Sequence, residues 1–222
     1  MSTKPLRDVF GEALVKLGEE NEKVVALDAD LAGATRSVFF WRKFPDRYIN
    51  VGIAEANMVS IAAGLSTCGL IPYVCSFSFL ISLRAADQVR SQVSYTGLNV
   101  KLIGGNGGLS GYGDGATHQC IKDLAIMRAM PNMTVIVPSD EPTLNWAVFE
   151  AARIKGPVFI RVPRVAAPVV HDEGMEFFPG RAIVLREGKD VSIISCGMMV
   201  SRALEAAERL GKEGMEAEVV EL

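Results

Sequence analysis

Short, nearly continuous apolar segments alternate with helical segments through most of the chain, and this alternation constrains the fold most. Strands that are apolar on both faces are typical of a parallel sheet covered by helices on both sides. The predicted strands are 23–28, 48–52, 71–77, 99–105, 133–138 and 157–163. The predicted helices are 6–17, 54–67, 81–95, 121–130 and 141–154. The sequence therefore predicts an α/β fold with a mostly parallel six-stranded sheet and helices on both faces.

The alternation stops at VAAPVVHDEGMEFFPG, residues 165–180, which contain two prolines, two glycines and no regular period. Such a segment is typical of a linker between units. An α/β pattern resumes afterwards, but the remaining residues are too few to cover both faces of a second sheet. The predicted organisation is a first domain over 1–164, a linker over 165–180 and the start of a second α/β domain over 181–222.

Composition and charge argue against several classes of protein. The formal net charge is −3 and the lysines and arginines are scattered, so we expect no nucleic-acid partner. The N-terminus lacks a secretory signal and no apolar run is long enough to span a bilayer, so we expect a cytoplasmic protein without membrane contact. The four cysteines form no CxxC pair, so no metal site is expected in this chain.

Seven of the 21 glycines lie in GGNGGLSGYGDG, residues 104–115, between a predicted strand and a helix. Loops at the carboxyl ends of parallel strands bind ligands, so the position favours a binding role. The segment lacks the Lys-Ser/Thr of a phosphate-binding P-loop and does not fit a dinucleotide fingerprint. It leads into Asp114 and His118, and a histidine near neutral pH suits proton transfer or a hydrogen bond to a substrate oxygen.

Glu55 lies where the predicted strand 48–52 turns into the next helix. Acidic residues are common in the first turn of a helix, where the backbone N–H groups and the helix dipole stabilise negative charge. The local pattern alone is therefore satisfied by a structural role for Glu55.

Several motifs occur in order along the chain: GIAEAN, IPYVCSFSF, RAADQVR, GYGDGATHQ, MPNMTVIVPSD and GPVFIRVPR. Together they resemble the pyrimidine-binding domain of thiamine diphosphate enzymes of the transketolase family, and most closely the C-terminal subunit of split transketolases. Residues 181–222 resemble the start of the family's C-terminal domain. The resemblance implies transfer of a two-carbon ketol unit from a ketose, usually a phosphate ester, to an aldose.

The resemblance also implies roles at the cofactor. It places Glu55 as a catalytic carboxyl group against N1′ of the aminopyrimidine of thiamine diphosphate. Phe77 and Phe79 are implied to contact the pyrimidine, and their spacing puts both on one face if the segment is a strand. Leu80 occupies the position of the family's main stacking phenylalanine.

Substrate contacts follow from the same resemblance. Asp114 is implied to bind a sugar hydroxyl, and His118 is implied to act beside the substrate carbonyl. Asn106 occupies the position of a second family histidine, which suggests a different substrate preference.

Arginines bind the phosphate end of the substrate in this family, because guanidinium groups form paired hydrogen bonds with oxyanions. Arg7 and Arg164 match those positions, and Arg161 is the competing candidate. Each of Arg161 and Arg164 is also compatible with an alternative role as a solvated charge at the end of a strand.

The GDG at residues 113–115 lacks the downstream asparagines of the superfamily's magnesium motif. The resemblance therefore implies that Mg2+ and the diphosphate are held mainly by an N-terminal transketolase subunit, in a heterotetramer. Three alternatives stay open: the beta subunit of a 2-oxoacid dehydrogenase, a deoxyxylulose-phosphate synthase, and a non-catalytic α/β binding subunit.

Overall fold

The computed structural model describes residues 4–172 and 174–222. The first three residues of the predicted first domain and one residue of the predicted linker lie outside this range. The first sheet comprises β1 (Val24–Asp28), β2 (Tyr48–Asn50), β3 (Ile71–Phe77), β4 (Lys101–Gly105), β5 (Thr134–Ile136) and β6 (Val158–Val162). The second comprises β7 (Ile183–Arg186), β8 (Val191–Ser195) and β9 (Ala217–Glu221).

Helices connect these strands. They are α1 (Leu6–Glu20), α2 (Ala32–Thr35), α3 (Val38–Lys43), α4 (Glu55–Thr67), α5 (Ala86–Gln88), α6 (Asp123–Arg128), α7 (Glu141–Arg153) and α8 (Met199–Lys212). Two π-helical turns, Leu80–Arg84 and Val89–Ser94, flank α5, so 80–94 is a helical segment of mixed geometry. None of the described helices combines the length and apolar character needed to cross a membrane.

The first sheet has the strand order β2-β1-β3-β4-β6-β5, and every pairing in it is parallel. This confirms the predicted fold class. Alternate residues of a strand point to opposite faces, and β1 shows the consequence. Val24 and Ala26 pack with α1, α3 and α7 on one face, whereas Val25 and Leu27 pack with α4, the segment 80–94 and α6 on the other.

The second sheet follows in the order β7-β9-β8, with β7 antiparallel and β8 parallel to β9. Helix α8 covers it, and the buried residues of this core are all small. The intervening segment packs against the first unit through His171, whose Nδ1 lies 2.9 Å from Asp140 Oδ2. His171 Nε2 lies 2.7 Å from Glu221 Oε2 of β9, within the distance of an ion pair. One buried imidazole therefore connects the two sheets.

Candidate active site

The candidate site lies at the carboxyl edge of the first sheet. The strands β1, β2, β3 and β4 end there at Asp28, Asn50, Phe77 and Gly105. The start of α1 joins the same edge, because the Leu6 amide donates to the Val165 carbonyl just beyond β6 at 3.0 Å. This edge is the usual ligand-binding edge of a parallel sheet.

Glu55 is the first residue of α4, directly after the loop that leaves β2. Its side chain is only 2% exposed, and Arg84 Nη1 lies 3.1 Å from Oε2. The guanidinium offsets part of the cost of burying a carboxylate. The N-terminus of α4 adds favourable dipoles at the same position. The Arg84 guanidinium and the N-terminus of α4 thus both stabilise the buried Glu55 carboxylate.

A cleft of about 340 Å³ opens beside Glu55. Its lining includes Leu31, Ile53, Glu55, Phe77, Phe79, Leu80, Arg84 and His118. The His118 ring stands edge-on to both phenylalanines, with ring centroids 5.9 Å from Phe77 and 5.3 Å from Phe79. Two carboxyl groups line the cleft, the buried Glu55 and the exposed Asp30. Apolar and aromatic walls beside a buried carboxyl group suit a flat heteroaromatic ring that needs a polar partner at its edge.

Phe77 and Phe79 reach this cleft by a route that differs from the strand interpretation. β3 ends at Phe77, and Phe79 already lies in the helical turn that precedes the π-helical turn starting at Leu80. The two-residue alternation of a strand therefore does not apply. Their ring centroids lie 6.3 Å apart, and Leu80, 6% exposed, lies in the same cleft.

His118 is oriented by its neighbours. Thr117 Oγ1 lies 3.0 Å from His118 Nδ1, and the His118 amide donates to the Gly115 carbonyl at 3.0 Å. Because Nδ1 is engaged, Nε2 is the ring nitrogen that can bond a ligand. The glycine-rich loop therefore delivers an oriented imidazole to the cleft.

Asp114, Asn106 and Arg164 form one connected group beside the cleft. Asp114 Oδ2 accepts from Arg164 Nη1 at 2.7 Å and from Asn106 Nδ2 at 3.3 Å. Asn106 is 4% exposed and has a left-handed backbone with φ of 54°, which asparagine tolerates better than most residues. Three of the predicted substrate residues are thus in contact.

Arg7 follows Leu6 in the first turn of α1, next to the Arg164 segment. Its Nε is buried and has no hydrogen-bond partner among residues 4–172 and 174–222. Burial and the positive charges of Arg36 and Arg164 lower the pKa of Arg7 from its ordinary value. A buried donor without an acceptor, among like charges, is an arrangement that an anion would satisfy.

Arg161 does not join this group. Its Nε and Nη2 donate to the two carboxylate oxygens of Asp123 at 2.8 and 3.0 Å, and Nη2 also donates to the Cys120 carbonyl. Ser78 Oγ donates to the same carboxylate at 2.5 Å. A Cβ at Gly107 would come within 2.5 Å of the Arg161 side chain, so the glycine-rich loop packs directly on it. The surroundings of Arg161 favour a structural role over phosphate binding.

Arg84 is the residue at this site that the sequence interpretation missed. It lies four residues after Leu80, so a helical segment puts both on one face. The spacing from Leu80 to Arg84, the first residue of RAADQVR, was the available signal, but the partner, Glu55, is 29 residues away in sequence.

Metal ligands are not assembled in the described parts of the chain. No group of three or more His, Cys, Asp or Glu side chains in 4–172 or 174–222 is placed to hold a metal ion. The four cysteines are free thiols: Cys75 and Cys120 are buried, Cys196 is intermediate and Cys68 is exposed.

Family models match almost the whole chain. Residues 2–169 match the transketolase pyrimidine-binding domain, and residues 180–222 match the transketolase C-terminal domain. The chain belongs to the transketolase family. This family uses thiamine diphosphate. The matches to the family models confirm both the predicted resemblance and the predicted fold.

Individual relatives from the transketolase family are similar to this chain over nearly its whole length. A transketolase C-terminal section from Methanocaldococcus jannaschii is 42% identical over 221 residues, covering 99% of this chain and 70% of the relative. A 6-deoxy-6-sulfo-D-fructose transketolase subunit from a Clostridium species is 43% identical over 215 residues, covering 97% and 67%. A solved structure described as a split gene transketolase, inactive beta4 tetramer, superposes with a TM-score of 0.89 at 45% identity, covering 98% and 70%.

Other members of the superfamily carry the same region within a longer chain. A 1-deoxy-D-xylulose-5-phosphate synthase from Methylacidiphilum infernorum is 40% identical over 219 residues, which are 98% of this chain and 34% of that enzyme. The chain thus spans about a third of the length of this relative. Similarity of the region alone does not separate the two activities.

Proposed function

We propose that the chain is the C-terminal, pyrimidine-binding subunit of a split, thiamine diphosphate-dependent transketolase. It would transfer a two-carbon ketol unit from a ketose, or its phosphate, to an aldose. The observation that carries the proposal is the convergence of the buried Glu55 carboxylate with Phe77, Phe79, Leu80 and His118 in one cleft of a transketolase-family chain.

The cleft fits the aminopyrimidine half of the cofactor in size and chemistry. Leu80 and the two phenylalanines offer apolar contact to the ring, and Glu55 offers one carboxyl group at its edge. When bound, thiamine diphosphate supplies the carbon nucleophile and the electron sink for bond cleavage. Glu55 would share a proton with ring nitrogen N1′, which is the general acid–base role that a carboxyl group can fill.

The substrate would lie between the cleft and the Asp114 group. His118 Nε2 would donate to the carbonyl oxygen, and Asp114 would accept from a sugar hydroxyl. Asn106 would keep Asp114 oriented through its side-chain amide. Arg164 and Arg7 would bind the anionic end of a phosphorylated sugar.

The diphosphate and Mg2+ would be held mainly by an N-terminal subunit. Mg2+ prefers oxygen ligands such as carboxylates and phosphates, and the described residues supply no cluster of acidic side chains for it. Two relatives are described as a transketolase C-terminal section and as a transketolase subunit, and the similar solved structure is described as an inactive beta4 tetramer. These names support a partner chain, and closed symmetry favours two copies of each subunit.

The first experiment is calorimetric titration of thiamine diphosphate with Mg2+ into the chain alone and into its mixture with a candidate N-terminal subunit. Tight binding only in the mixture is expected, together with transfer from a ketose to an aldose. Glu55→Gln should lower the transfer rate at least about a hundredfold, the usual size of a general acid–base contribution. Glu205→Gln, at an exposed position of α8, is the matched control.

The rivals give different outcomes. Consumption of pyruvate, with an artificial electron acceptor or with a triose phosphate, in place of ketol transfer would indicate the 2-oxoacid dehydrogenase or the deoxyxylulose-phosphate synthase reaction. Association of the two chains without cofactor binding would indicate a non-catalytic subunit. Tight Mg2+-dependent binding to the chain alone would overturn the shared site.

A further inference from the structure

We propose that Arg36 is a specificity-determining residue that, with Arg7 and Arg164, binds a tetrahedral oxyanion at the end of the substrate. This inference rests on the proposed function and adds a residue that the sequence motifs do not identify. It depends on three locally unfavourable features that meet at one place.

The first feature is the backbone of Arg36. It ends α2 with φ of 67° and ψ of 10°, a left-handed conformation in which glycine is the usual residue. Side-chain-bearing residues pay strain there, and such strain persists only where the surrounding structure enforces it. An arginine in this position therefore has a role that a glycine could not fill.

The second feature is Gly11 in the middle of α1, where glycine disfavours a helix. A Cβ at this position would lie 2.8 Å from Arg36 Cβ and 2.9 Å from the Arg36 carbonyl oxygen. The absence of a side chain at Gly11 is what lets the Arg36 turn approach the helix. The close approach then permits the ion pair between Arg36 and Asp8, one turn before Gly11.

The third feature is the gathering of like charges. The positive charges of Arg36 and Arg164 both act on Arg7, and the hydrogen bond from the Leu6 amide to the Val165 carbonyl ties the start of α1 to the segment that carries Arg164. Arg36 pairs with Asp8 and Arg164 pairs with Asp114, whereas Arg7 forms no ion pair with any residue of 4–172 or 174–222. The buried Nε of Arg7 has no hydrogen-bond partner in the part of the chain that the structure describes.

The turn at Arg36 also lies next to the start of the glycine-rich loop. A Cβ at Gly105 would lie 3.9 Å from the Thr35 methyl group, and Asn106 follows immediately with its hydrogen bond to Asp114. An extended sugar with its carbonyl near His118 and a hydroxyl at Asp114 would thus point its far end towards the three arginines. Guanidinium groups suit a phosphate ester or a similar oxyanion there because they form paired, charge-assisted hydrogen bonds.

The test has two independent readouts on the assembled complex. In the first, inorganic phosphate is titrated calorimetrically into the wild type, Arg36→Gln and, as the matched control, Arg202→Gln on exposed α8. Loss of one charge-assisted hydrogen bond should weaken phosphate binding at least about tenfold in Arg36→Gln only. Thermal melts confirm that each variant is folded.

In the second readout, kcat/KM is measured with D-ribose 5-phosphate and with D-ribose as acceptors. Arg36→Gln should lower the ratio of the two values at least about tenfold, whereas Arg202→Gln should leave it unchanged. A strained residue with a purely structural role would alter both acceptors alike and leave the ratio constant, which would overturn the proposal.

The two readouts keep this inference separable from the proposed function. Phosphate binding that depends on Arg36 in a complex without ketol transfer would retain the anion site and reject the activity. Transfer activity with unchanged phosphate affinity in Arg36→Gln would retain the activity and reject the anion site. A folding defect in Arg36→Gln is met by Arg36→Lys, which keeps the charge and should keep part of the phosphate preference.

Discussion

Arg161 and Arg164 are close in sequence, yet they have different environments. Arg161 is 21% exposed and pairs with a fully buried Asp123, whereas Arg164 is 36% exposed and pairs with a partly exposed Asp114. A buried carboxylate that loses its cation keeps its full desolvation cost, whereas a solvated one does not. The same residue type therefore serves the fold at one position and is available for ligands at the other.

The Arg161 pair yields a stability prediction. Arg161→Met should lower the free energy of unfolding by roughly 3–5 kcal/mol, because Asp123 is left buried and unpaired. Arg164→Met, the matched control, should cost no more than about 1 kcal/mol. Urea denaturation of both variants measures the difference.

Removing both charges at the buried site provides the next check. Arg161→Met combined with Asp123→Leu should recover much of the lost stability, because no uncompensated charge remains. Equal, small effects of Arg161→Met and Arg164→Met would show that the Asp123 pair does not stabilise the fold.

Two substitutions of Asn106 distinguish the effect of its backbone conformation from the effect of its side-chain hydrogen bond. Asn106→Ala should cost about 1 kcal/mol of stability from left-handed strain alone, and Asn106→Gly should avoid that strain. Both variants lose the hydrogen bond to Asp114, so both should raise KM for the sugar severalfold if that bond orients the carboxylate. A raised KM in the alanine variant only would assign the effect to the backbone. Urea denaturation and steady-state kinetics of the two variants supply these values.

At the scale of elements, the cap of α7 is linked to the second sheet. Asp140 caps α7 through Thr143, and its Oδ2 also accepts from the amides of Val170 and His171. Burial alone would lower the pKa of His171, but Asp140 and Glu221 raise it to about 9. The residue that caps α7 is thus also in contact with an imidazole of raised pKa beside β9.

The linkage has a defined sign. Because the folded pKa of His171 exceeds its ordinary value of 6.5, its contribution is complete below pH 6.5 and is lost as pH rises through about 9. Lys101, whose buried ammonium donates to the Ile154 and Gly156 carbonyls, acts in the opposite direction. Burial lowers the pKa of Lys101 from 10.5 to about 7, so the contribution of Lys101 to the free energy of unfolding rises as pH increases from about 7 to 10.5.

Because the two groups oppose each other, the wild-type profile alone is not diagnostic. We expect the stability difference between wild type and His171→Gln to shrink by on the order of 2–3 kcal/mol between pH 6 and pH 10. Urea denaturation across this range measures it. The only other histidine is His118, so His118→Gln is the control and should keep the wild-type slope. A constant difference for His171→Gln would contradict the protonated state of His171.

The elements also show what the sequence can specify. The six strands were predictable because burial on both faces leaves continuous apolar runs, as in VVALD of β1. β2 and β5 are shorter than predicted, at Tyr48–Asn50 and Thr134–Ile136, because they lie at the sheet edges and pair on one side only. The π-helical turns of 80–94 were not predictable, since their apolar spacing resembles that of an ordinary helix.

At the scale of the whole molecule, the site was predictable as a list and not as a geometry. Motifs singled out Glu55, Asp114 and His118, and the structure brings Glu55 and His118 into one cleft with Asp114 on the loop that carries His118. Contacts between distant residues, such as Arg84 with Glu55 or Arg36 with Asp8, depend on how segments pack, and no local pattern encodes them. The resemblance offered Arg161 as a competing candidate for the phosphate end of the substrate, and its ion pair with Asp123, 38 residues away, could not be read from the local sequence.

The two sheets should differ in local stability. The first is covered on both faces by large apolar clusters, whereas the cluster between α8 and the second sheet has four small buried members, Ala203, Ala207, Ala217 and Val219. The free energy of local opening is lower for a unit that buries less apolar area. In hydrogen exchange, amides of β8 and α8 should exchange at least about tenfold faster than those of β3 and β4.

The contact between His171 and Glu221 gives this last prediction its control. Glu221→Gln removes one of the two carboxylates beside the imidazole, so exchange in β8, β9 and α8 should accelerate further. Exchange in β3 and β4 should stay the same, because their cores lie in the first unit. Uniform protection across both sheets, or equal acceleration in all strands of Glu221→Gln, would instead mean that the chain opens as one cooperative unit.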